Sequence, residues 1–340
     1  MADKSSIEWT DATWNPVAGC SIISQGCTNC YAMKMAARIE AMGSAPHYAG
    51  LTTGTKAGAV WTGEIAVAPD SILTQPLRWK HPRRIFVNSM SDLFHEGVPD
   101  EAIDKVFAVM ALCPQHTFQV LTKRATRMRT YVSRRTGDWQ NVLPDAFAPG
   151  TLPITKNQVE RTLGRAAKLT GDPPTPTWPL SNVWLGVSTE DQPRADERIP
   201  ELLATPAAKR FLSCEPLLGP LAMDGRNLVG DETYWNWLKG ERGPSVQHIA
   251  AKPEQTAKID WVIVGGESGP RSRPFALEWA RNIISQCQTA GVACFVKQLG
   301  AKPGDRQSPQ FCHEPIRLKD RKGGDWSEWP EDLRVREFPT

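Results

Sequence analysis

The sequence lacks long apolar runs and lacks a strong excess of either charge. No stretch of its 340 residues approaches the roughly 20 apolar residues that span a bilayer. The opening segment MADKSSIEWTDATWNP contains no apolar signal core. The formal net charge is +3, which is too small to indicate nucleic-acid binding by itself. We therefore expect a cytoplasmic protein without membrane association.

The eight cysteines lack the even spacing of a disulfide framework, and a cytoplasmic chain is expected to keep its thiols reduced. Three of them form the pattern C-x6-C-x2-C within the stretch GCSIISQGCTNCYA, and no fourth cysteine follows nearby. The others are scattered and are expected to be small buried apolar residues. The clustered cysteines are Cys20, Cys27 and Cys30, and the scattered ones are Cys113, Cys214, Cys287, Cys294 and Cys312.

Six short apolar runs, each ending in polar or small residues, predict buried strands. Helical patterns separate most of them, as in Asp100–Leu112 and in Ala276–Gly291, which ends on a glycine. A further helical pattern follows Glu190, and Pro200 is expected to break or kink it. This alternation predicts an α/β fold with a mostly parallel sheet. The predicted strand segments are Arg84–Asp92, Thr117–Arg124, Asn182–Glu190, Lys209–Pro216, Asp260–Gly269 and Ala293–Gly300.

The chain length and the alternation of predicted strands and helices together favour a single (β/α) barrel domain, partial or full and TIM-like, over residues 1–340. Residues 135–180 and 224–258 interrupt the alternation of strands and helices and are expected to be insertions, either lids or decorative loops. Residues 301–340 are expected to form a C-terminal extension. Polar residues collect at five strand ends, where parallel α/β folds place their active sites.

Four explanations compete for the three clustered cysteines. They are a zinc site with a distant fourth ligand such as His47 or His95, a disulfide with a spare thiol, unrelated buried cysteines, and a [4Fe–4S] cluster held by three thiolates. With three ligands, one iron stays open to a substrate or cofactor. The flanking glycines and the position before a helical segment favour the cluster.

On these residues the chain resembles the radical S-adenosylmethionine superfamily. That resemblance implies a barrel whose first loop holds the [4Fe–4S] cluster, with S-adenosylmethionine chelating the unique iron. It also implies reductive cleavage to a 5′-deoxyadenosyl radical, which abstracts hydrogen from a substrate. The common spacing in that superfamily is C-x3-C-x2-C, so the gap between Cys20 and Cys27 is longer here.

Three strand-end motifs, NSMSD, QVLTKR and GVSTE, are similar to those of the spore photoproduct lyase family. The resemblance implies that Ser91, Asp92, Lys123 and Ser188 contact the cofactor, with Lys123 at its carboxylate. Ser89 stands where that family has a hydrogen-donating cysteine. Cys214 is the substitute that we expect to serve in its place.

Nearly the whole chain resembles a phage and prophage family of three-cysteine proteins, through blocks such as WTDATWNPVAGC, EPLLGP and VKQLG. That resemblance implies radical chemistry in a mobile-element context and names no substrate.

The segment VIVGGESGP allows close backbone approach to a flat ligand at Gly265 and Gly266. Glu267 is then a candidate acceptor from ribose or adenine, and Glu215 a candidate contact to substrate or ribose. A tight turn and ion-paired carboxylates are the alternatives. We expect these residues to complete a site for S-adenosylmethionine and its substrate.

Two basic runs, Arg78–Arg84 and Lys123–Arg135, contain Trp79 and Tyr131 and are typical of either a nucleic-acid contact or a solvated face. We therefore expect a nucleobase, nucleotide or DNA substrate and an electron donor, whereas the sequence predicts no oligomeric state. The alternative to an enzyme is a non-catalytic nucleic-acid-binding protein that zinc stabilises.

Overall fold

The computed structural model describes residues 5–56, 58–136, 177–226, 233–244, 254–306 and 313–340, with single positions between 155 and 168. The chain divides into two compact units. The first comprises residues 1–186 and 205–209, and the second comprises residues 187–204 and 210–340. The predicted insertion at 135–180 lies mostly outside the described residues.

A seven-stranded sheet carries the fold, and its strands follow one another in chain order. The first three strands pair with one another in parallel, and so do the last three. Strands that are added in sequence order are typical of a singly wound (β/α) arrangement, which is compatible with a partial barrel. The strands are β1 (Ala12–Trp14), β2 (Arg84–Val87), β3 (Thr117–Thr122), β4 (Val183–Ser188), β5 (Lys209–Cys214), β6 (Trp261–Gly265) and β7 (Ala293–Gln298).

All six predicted strands are confirmed, and β1 precedes them as the short extended segment before the cysteine pattern. Their apolar residues explain the assignment, because parallel strands covered on both faces need apolar side chains at nearly every position. In β6 every residue from Trp261 to Gly265 is buried.

Among the described residues, five longer helices accompany the strands, and α1 begins directly after Cys30. The helix α5 ends as predicted at Gly291, whose φ of 66° is the left-handed conformation that favours glycine at a helix end. None of the helices described combines the length and hydropathy that crossing a membrane requires. They are α1 (Tyr31–Ala41), α2 (Asp100–Ala111), α3 (Ala125–Thr136), α4 (Gln192–Leu203) and α5 (Leu277–Ala290).

The expected break at Pro200 is wrong, because α4 continues through that residue to Leu203. Asp191 caps the start of the helix by accepting a hydrogen bond from the Arg194 amide at 3.0 Å. The helix also buries Ile199 and Leu202 on either side of the proline. Packing of these side chains offsets the one backbone hydrogen bond that proline cannot make.

In the first unit, two small antiparallel pairs lie near the cysteine pattern. Val17–Ala18 pairs with Ala66–Val67, and Thr52–Thr55 pairs with Gly58–Trp61. The shorter helices of this unit are the one-turn α-helix Asp70–Leu73 and the 3-10 helices Gln25–Cys27, Pro46–Tyr48 and Gln75–Arg78.

In the second unit, the predicted insertion at 224–258 contains a four-stranded antiparallel sheet. The C-terminal extension contributes two strands to a three-stranded sheet and then pairs Arg336 with Phe295 of β7. This covers β7, which is the last strand of the main sheet. The smaller elements are strands Asp224–Arg226, Thr233–Asn236, Glu241–Pro244, Glu254–Gln255, Phe275–Ala276, Pro303–Arg306 and His313–Pro315, and 3-10 helices Trp326–Glu328 and Glu331–Leu333.

Candidate functional site

The cysteine loop, residues 19–30, runs from the short strand Val17–Ala18 to the start of α1. Gly19 opens it with a φ of 92°, and a Cβ at this position would lie 2.1 Å from the Glu64 carbonyl oxygen. Both facts require glycine there. Gly19 also forms an isolated parallel bridge with Ser91, so the loop begins beside the segment that follows β2.

None of the three clustered cysteines is in a disulfide, and each is partly exposed. Cys20 and Cys30 pack against the same apolar cluster, which contains Met33, Tyr48 and Met90 among others. Backbone bonds hold the turn between them: the Cys27 amide donates to Ser24 at 3.0 Å, and the Cys30 amide donates to Cys27 at 3.2 Å. These bonds and the shared apolar cluster hold the cysteines in one short loop, and a common metal centre on their three thiols stays a prediction.

Burial and, to a smaller extent, the negative charge of Asp92 raise the pKa of the Cys20 thiol to about 12, against the opposing positive charge of Arg124. Burial likewise raises the pKa of Cys30, and the positive charge of Lys123 opposes that rise. Both thiols are therefore protonated at neutral pH until a cation compensates their charge. A bound metal centre provides that compensation, because thiolate ligands ionise as they bind metal.

Arg124, at the end of β3, joins the cysteine loop to the segment after β2. Its Nη2 donates to Ser21 Oγ at 2.6 Å, and its Nη1 lies 3.9 Å from Cys20 Sγ. The same guanidinium pairs with Asp92 at 3.1 Å, where the two side chains are 4% and 7% exposed. Its Nε donates to Glu96 at 2.7 Å. Burial alone would lower the pKa of Arg124, but these anionic neighbours raise it, so the group is a permanent cation.

The carboxylate of Asp92 accepts four hydrogen bonds, all from protein donors. Its Oδ1 accepts from Thr122 Oγ1 at 2.6 Å and from the Phe94 amide at 3.0 Å. Its Oδ2 accepts from the Lys123 amide at 3.0 Å and from Arg124. Asp92 thus fastens the end of β3 to the segment after β2, and its predicted contact with a cofactor amino group stays a prediction.

Ser91 differs from Asp92, because its hydroxyl is buried and has no hydrogen-bond partner among the described residues. An unsatisfied buried hydroxyl costs free energy unless a ligand completes it. Ser91 lies beside Gly19, one residue from Cys20. This arrangement fits the predicted role of Ser91 toward a ligand at the cysteine loop.

The segment between β2 and Ser91 is held in place by residues that sequence reasoning missed. Asn15 Oδ1 accepts from Ser89 Oγ at 3.1 Å and from the Met90 amide at 3.0 Å. Tyr31 donates its hydroxyl to the Ser89 carbonyl at 2.9 Å. Asn88 has a φ of 59°, which lets the chain turn sharply after β2. The Ser89 hydroxyl therefore helps to hold this segment against Asn15.

The two histidines considered as zinc ligands differ, because the buried ring nitrogens of His47 have no hydrogen-bond partner among the described residues. His95 is engaged at both nitrogens, with Nε2 2.9 Å from Ser21 Oγ and Nδ1 accepting from the Gly97 amide at 3.0 Å. Burial lowers the pKa of both His95 and His47. Across the described ranges, no group of three or more His, Cys, Asp or Glu side chains has the arrangement of a metal site.

The second unit contains the remaining predicted site residues at its strand ends. Cys214 is fully buried, with its sulfur 3.2 Å from Thr189 Oγ1, and burial raises its pKa to about 12. Glu215 forms an ion pair with Lys297 at 3.0 Å. Lys297, at the end of β7, is a strand-end charge that sequence reasoning missed although it lies within the quoted block VKQLG.

Gly265 and Gly266 pack closely against neighbouring protein atoms, and Glu267 is bound to another side chain. A Cβ on Gly266 would lie 2.3 Å from the Leu299 carbonyl oxygen, and one on Gly265 would lie 2.7 Å from Glu215 Oε1. Glu267 binds Arg273 through two side-chain bonds of 2.7 and 3.0 Å. Their predicted contacts with adenine or ribose stay predictions.

Ser188 is buried at the end of β4, and its carbonyl accepts from Arg198 Nη1 at 2.9 Å. Arg198 also pairs with Glu190 at 3.0 Å, where both side chains are at most 2% exposed. This pair fixes the end of β4 against α4. The predicted contact of Ser188 with the cofactor stays a prediction.

The two basic runs offer fewer accessible side chains for nucleic-acid contact than their sequences indicate. Trp79 and Tyr131 are buried, so neither ring is accessible for base stacking, which corrects that expectation. Arg135 pairs with Asp104 at 2.6 Å, and Arg134 pairs with Asp100. Much of the second run therefore serves to join α3 to the acidic start of α2.

The fold and the loop define an α/β protein with a three-thiol loop after the first strand of its sheet. Residues 4–328 match a family model described as "Protein of unknown function (DUF5131)", and the chain belongs to this family. No curated protein matches the chain. No solved structure matches it either.

Proposed function

We propose that this protein is a radical S-adenosylmethionine enzyme that holds a [4Fe–4S] cluster on Cys20, Cys27 and Cys30. The observation that carries the proposal is the gathering of three cysteines, none in a disulfide, in the loop after the first strand of a parallel sheet. When bound, the cluster supplies the electron that cleaves S-adenosylmethionine, and the radical so formed takes hydrogen from the substrate.

The residues present fit such a cluster by the chemistry of their donors. Three sulfurs, an apolar wall behind Cys20 and Cys30, and a nearby guanidinium are the features that hold and tune iron–sulfur centres. A structural zinc site normally takes four protein ligands, whereas a [4Fe–4S] cluster held by three thiolates keeps one iron open for S-adenosylmethionine, and this loop supplies three cysteines.

Around the loop, the chain supplies polar groups suited to the amino acid end of S-adenosylmethionine. The unpartnered Ser91 hydroxyl can bind its ammonium or carboxylate. Lys123, whose charge acts on Cys30, can pair with its carboxylate. Asp92 is proposed to act on the ammonium, while its four protein donors fix its position.

Ser188, Gly265, Gly266 and Glu267, which lie in the second unit, stay proposed contacts for S-adenosylmethionine on the strength of the sequence alone. Glu215 is proposed to bind the substrate, and Cys214 to donate hydrogen to it after radical formation. The proposed substrate is a nucleobase, a nucleotide or DNA, by analogy with the lyase whose motifs the strand ends resemble.

Anaerobic reconstitution with iron and sulfide tests the cluster. We expect a brown protein with about four irons and four sulfides per chain. The Cys27→Ala variant should lose the iron, whereas the matched Cys113→Ala variant, altered at a fully buried cysteine outside the loop, should keep it. Stoichiometric zinc with no iron uptake would contradict the proposal and favour the zinc-stabilised alternative.

A further inference from the structure

Exposed apolar side chains are concentrated next to the cysteine loop. In the described part of the chain, seven large apolar side chains are exposed, and five of them lie between residues 22 and 42. A sixth, Val67, pairs with Val17, two residues before Gly19. The five are Ile22, Ile23, Tyr31, Met35 and Met42, with exposures from 42% to 66%. Exposed apolar groups gathered in one place mark interaction surfaces, whereas scattered ones do not.

Three of these residues, Tyr31, Met35 and Met42, form what we call the helix patch. They are four and seven residues apart, so they lie on one face of α1 and just past its end. Eleven residues at 1.5 Å per residue make the patch about 16 Å long. The opposite face of α1 buries Ala32, Met33 and Ala36 in the apolar cluster beneath Cys20 and Cys30.

The charged residues around the helix patch are mainly basic. Lys34 and Arg38 are exposed on α1 beside Met35. The one acidic residue of the helix, Glu40, is engaged with the Gly50 amide at 2.8 Å. An apolar centre with a cationic rim is complementary to a partner that has an apolar centre and an acidic rim.

We propose that the helix patch docks a small acidic electron-transfer protein, an inference that rests on the proposed function. The patch begins at the residue after Cys30, and the exposed Ile22 and Ile23 lie within the cysteine loop itself. A partner seated there is adjacent to the thiols that hold the cluster. Its size also fits, because transient redox interfaces are small, whereas obligate dimers bury several times more area.

The electron balance is simple. With the flavodoxin probe used below, the reduced flavin would lose one electron and become its semiquinone, and a cluster bound in the loop would gain that electron. No bond forms or breaks in this step. The probe would thus supply the electron that dithionite supplies chemically.

The test compares two sources of electrons for the reconstituted protein. The probe is reduced flavodoxin, an acidic flavin protein, and dithionite is the chemical reductant. The variant is Met35→Glu with Met42→Glu, which puts charge of the wrong sign on the patch without touching the thiols. The matched control is Gln288→Glu, which adds negative charge at an exposed position of α5.

We expect the double variant to lower the flavodoxin-supported rate of S-adenosylmethionine cleavage about tenfold, as a misplaced interfacial charge does. Its rate with dithionite should equal that of wild type, and the Gln288→Glu control should change neither rate. An unchanged flavodoxin rate in the double variant would overturn the inference.

Direct binding separates this inference from the proposed function. Titration of flavodoxin into the wild-type protein should give saturable, salt-sensitive binding that the double variant weakens about tenfold. If dithionite yields no cleavage, the proposed function fails, and this titration still decides whether the patch docks the probe. Self-association or DNA binding that the double variant abolishes, without flavodoxin binding, would overturn the inference in favour of another occupant.

Discussion

Arg124 makes contacts that no other described side chain near the cysteine loop combines. It reaches Ser21 and Cys20 of that loop, pairs with the buried Asp92, and binds the exposed Glu96. A buried cation with two anionic partners holds its neighbours firmly, but leaves an uncompensated charge when it is removed. The sequence places Arg124 in a basic run, where nothing distinguishes it from its solvated neighbours.

We predict that Arg124→Gln lowers the free energy of unfolding by about 3–5 kcal/mol, because Asp92 is left buried without its cation. The reference substitution is Arg134→Gln, whose side chain is 54% exposed and also pairs with an aspartate. It should cost at most about 1 kcal/mol, because exposed ion pairs contribute little. Urea denaturation measures both. An equal loss of unfolding free energy in the two variants would contradict the claim that Arg124 compensates the buried charge of Asp92.

Gly19 is the residue whose substitution should disturb the loop most locally. Gly19→Ala is expected to lower the free energy of unfolding by about 3 kcal/mol, since it adds a methyl group against the Glu64 carbonyl and strains the backbone. Gly43→Ala is the matched control, because its φ of 62° is also positive and nothing lies within 4 Å of the added carbon.

The control should cost only about 1 kcal/mol, from backbone strain alone. The difference between the two variants, read from denaturation midpoints, isolates the close approach at Gly19. A Gly19→Ala protein no less stable than Gly43→Ala would show that the loop relaxes freely.

At the scale of elements, apolar runs and helix patterns were sufficient to predict the six later strands and four of the five longer helices described; α3 was not predicted, because its segment was interpreted only as a basic run. They could not predict that α4 passes through Pro200, because that depends on how Ile199 and Leu202 pack and on the cap at Asp191. They also could not predict that Trp79 and Tyr131 are buried. Burial of an aromatic ring within a basic run is decided by neighbours distant in sequence.

The cap at Asp191 gives a prediction for α4. Asp191→Ala should lower the free energy of unfolding by about 1 kcal/mol, because the Arg194 amide loses its acceptor at the start of a helix that already contains a proline. Asp191→Asn should be close to neutral, since asparagine caps equally well. Thermal unfolding followed by circular dichroism distinguishes them. A similar loss in both variants would indicate that charge, not capping, is what Asp191 provides.

For the whole molecule, the spacing C-x6-C-x2-C predicted a three-thiol metal site. Cys20 and Cys30 pack against one apolar cluster and none of the three cysteines is in a disulfide, whereas a shared metal centre stays a prediction. The surrounding network of Asn15, Ser21, Glu96 and Arg124 was not predictable, because its members are up to 109 positions apart in sequence and meet only when β1, β2 and β3 align. The sequential strand order gives the loop its place after the first strand of the sheet.

The most direct test of the account is whether the reconstituted, dithionite-reduced protein converts S-adenosylmethionine to 5′-deoxyadenosine, measured by chromatography with mass detection. We predict conversion by the wild-type and Cys113→Ala proteins. Variants Cys20→Ala, Cys27→Ala and Cys30→Ala should each give none, because each removes one of three sulfur ligands. Failure of the iron-loaded wild-type protein to form 5′-deoxyadenosine, or full activity in any of these three variants, would contradict the account.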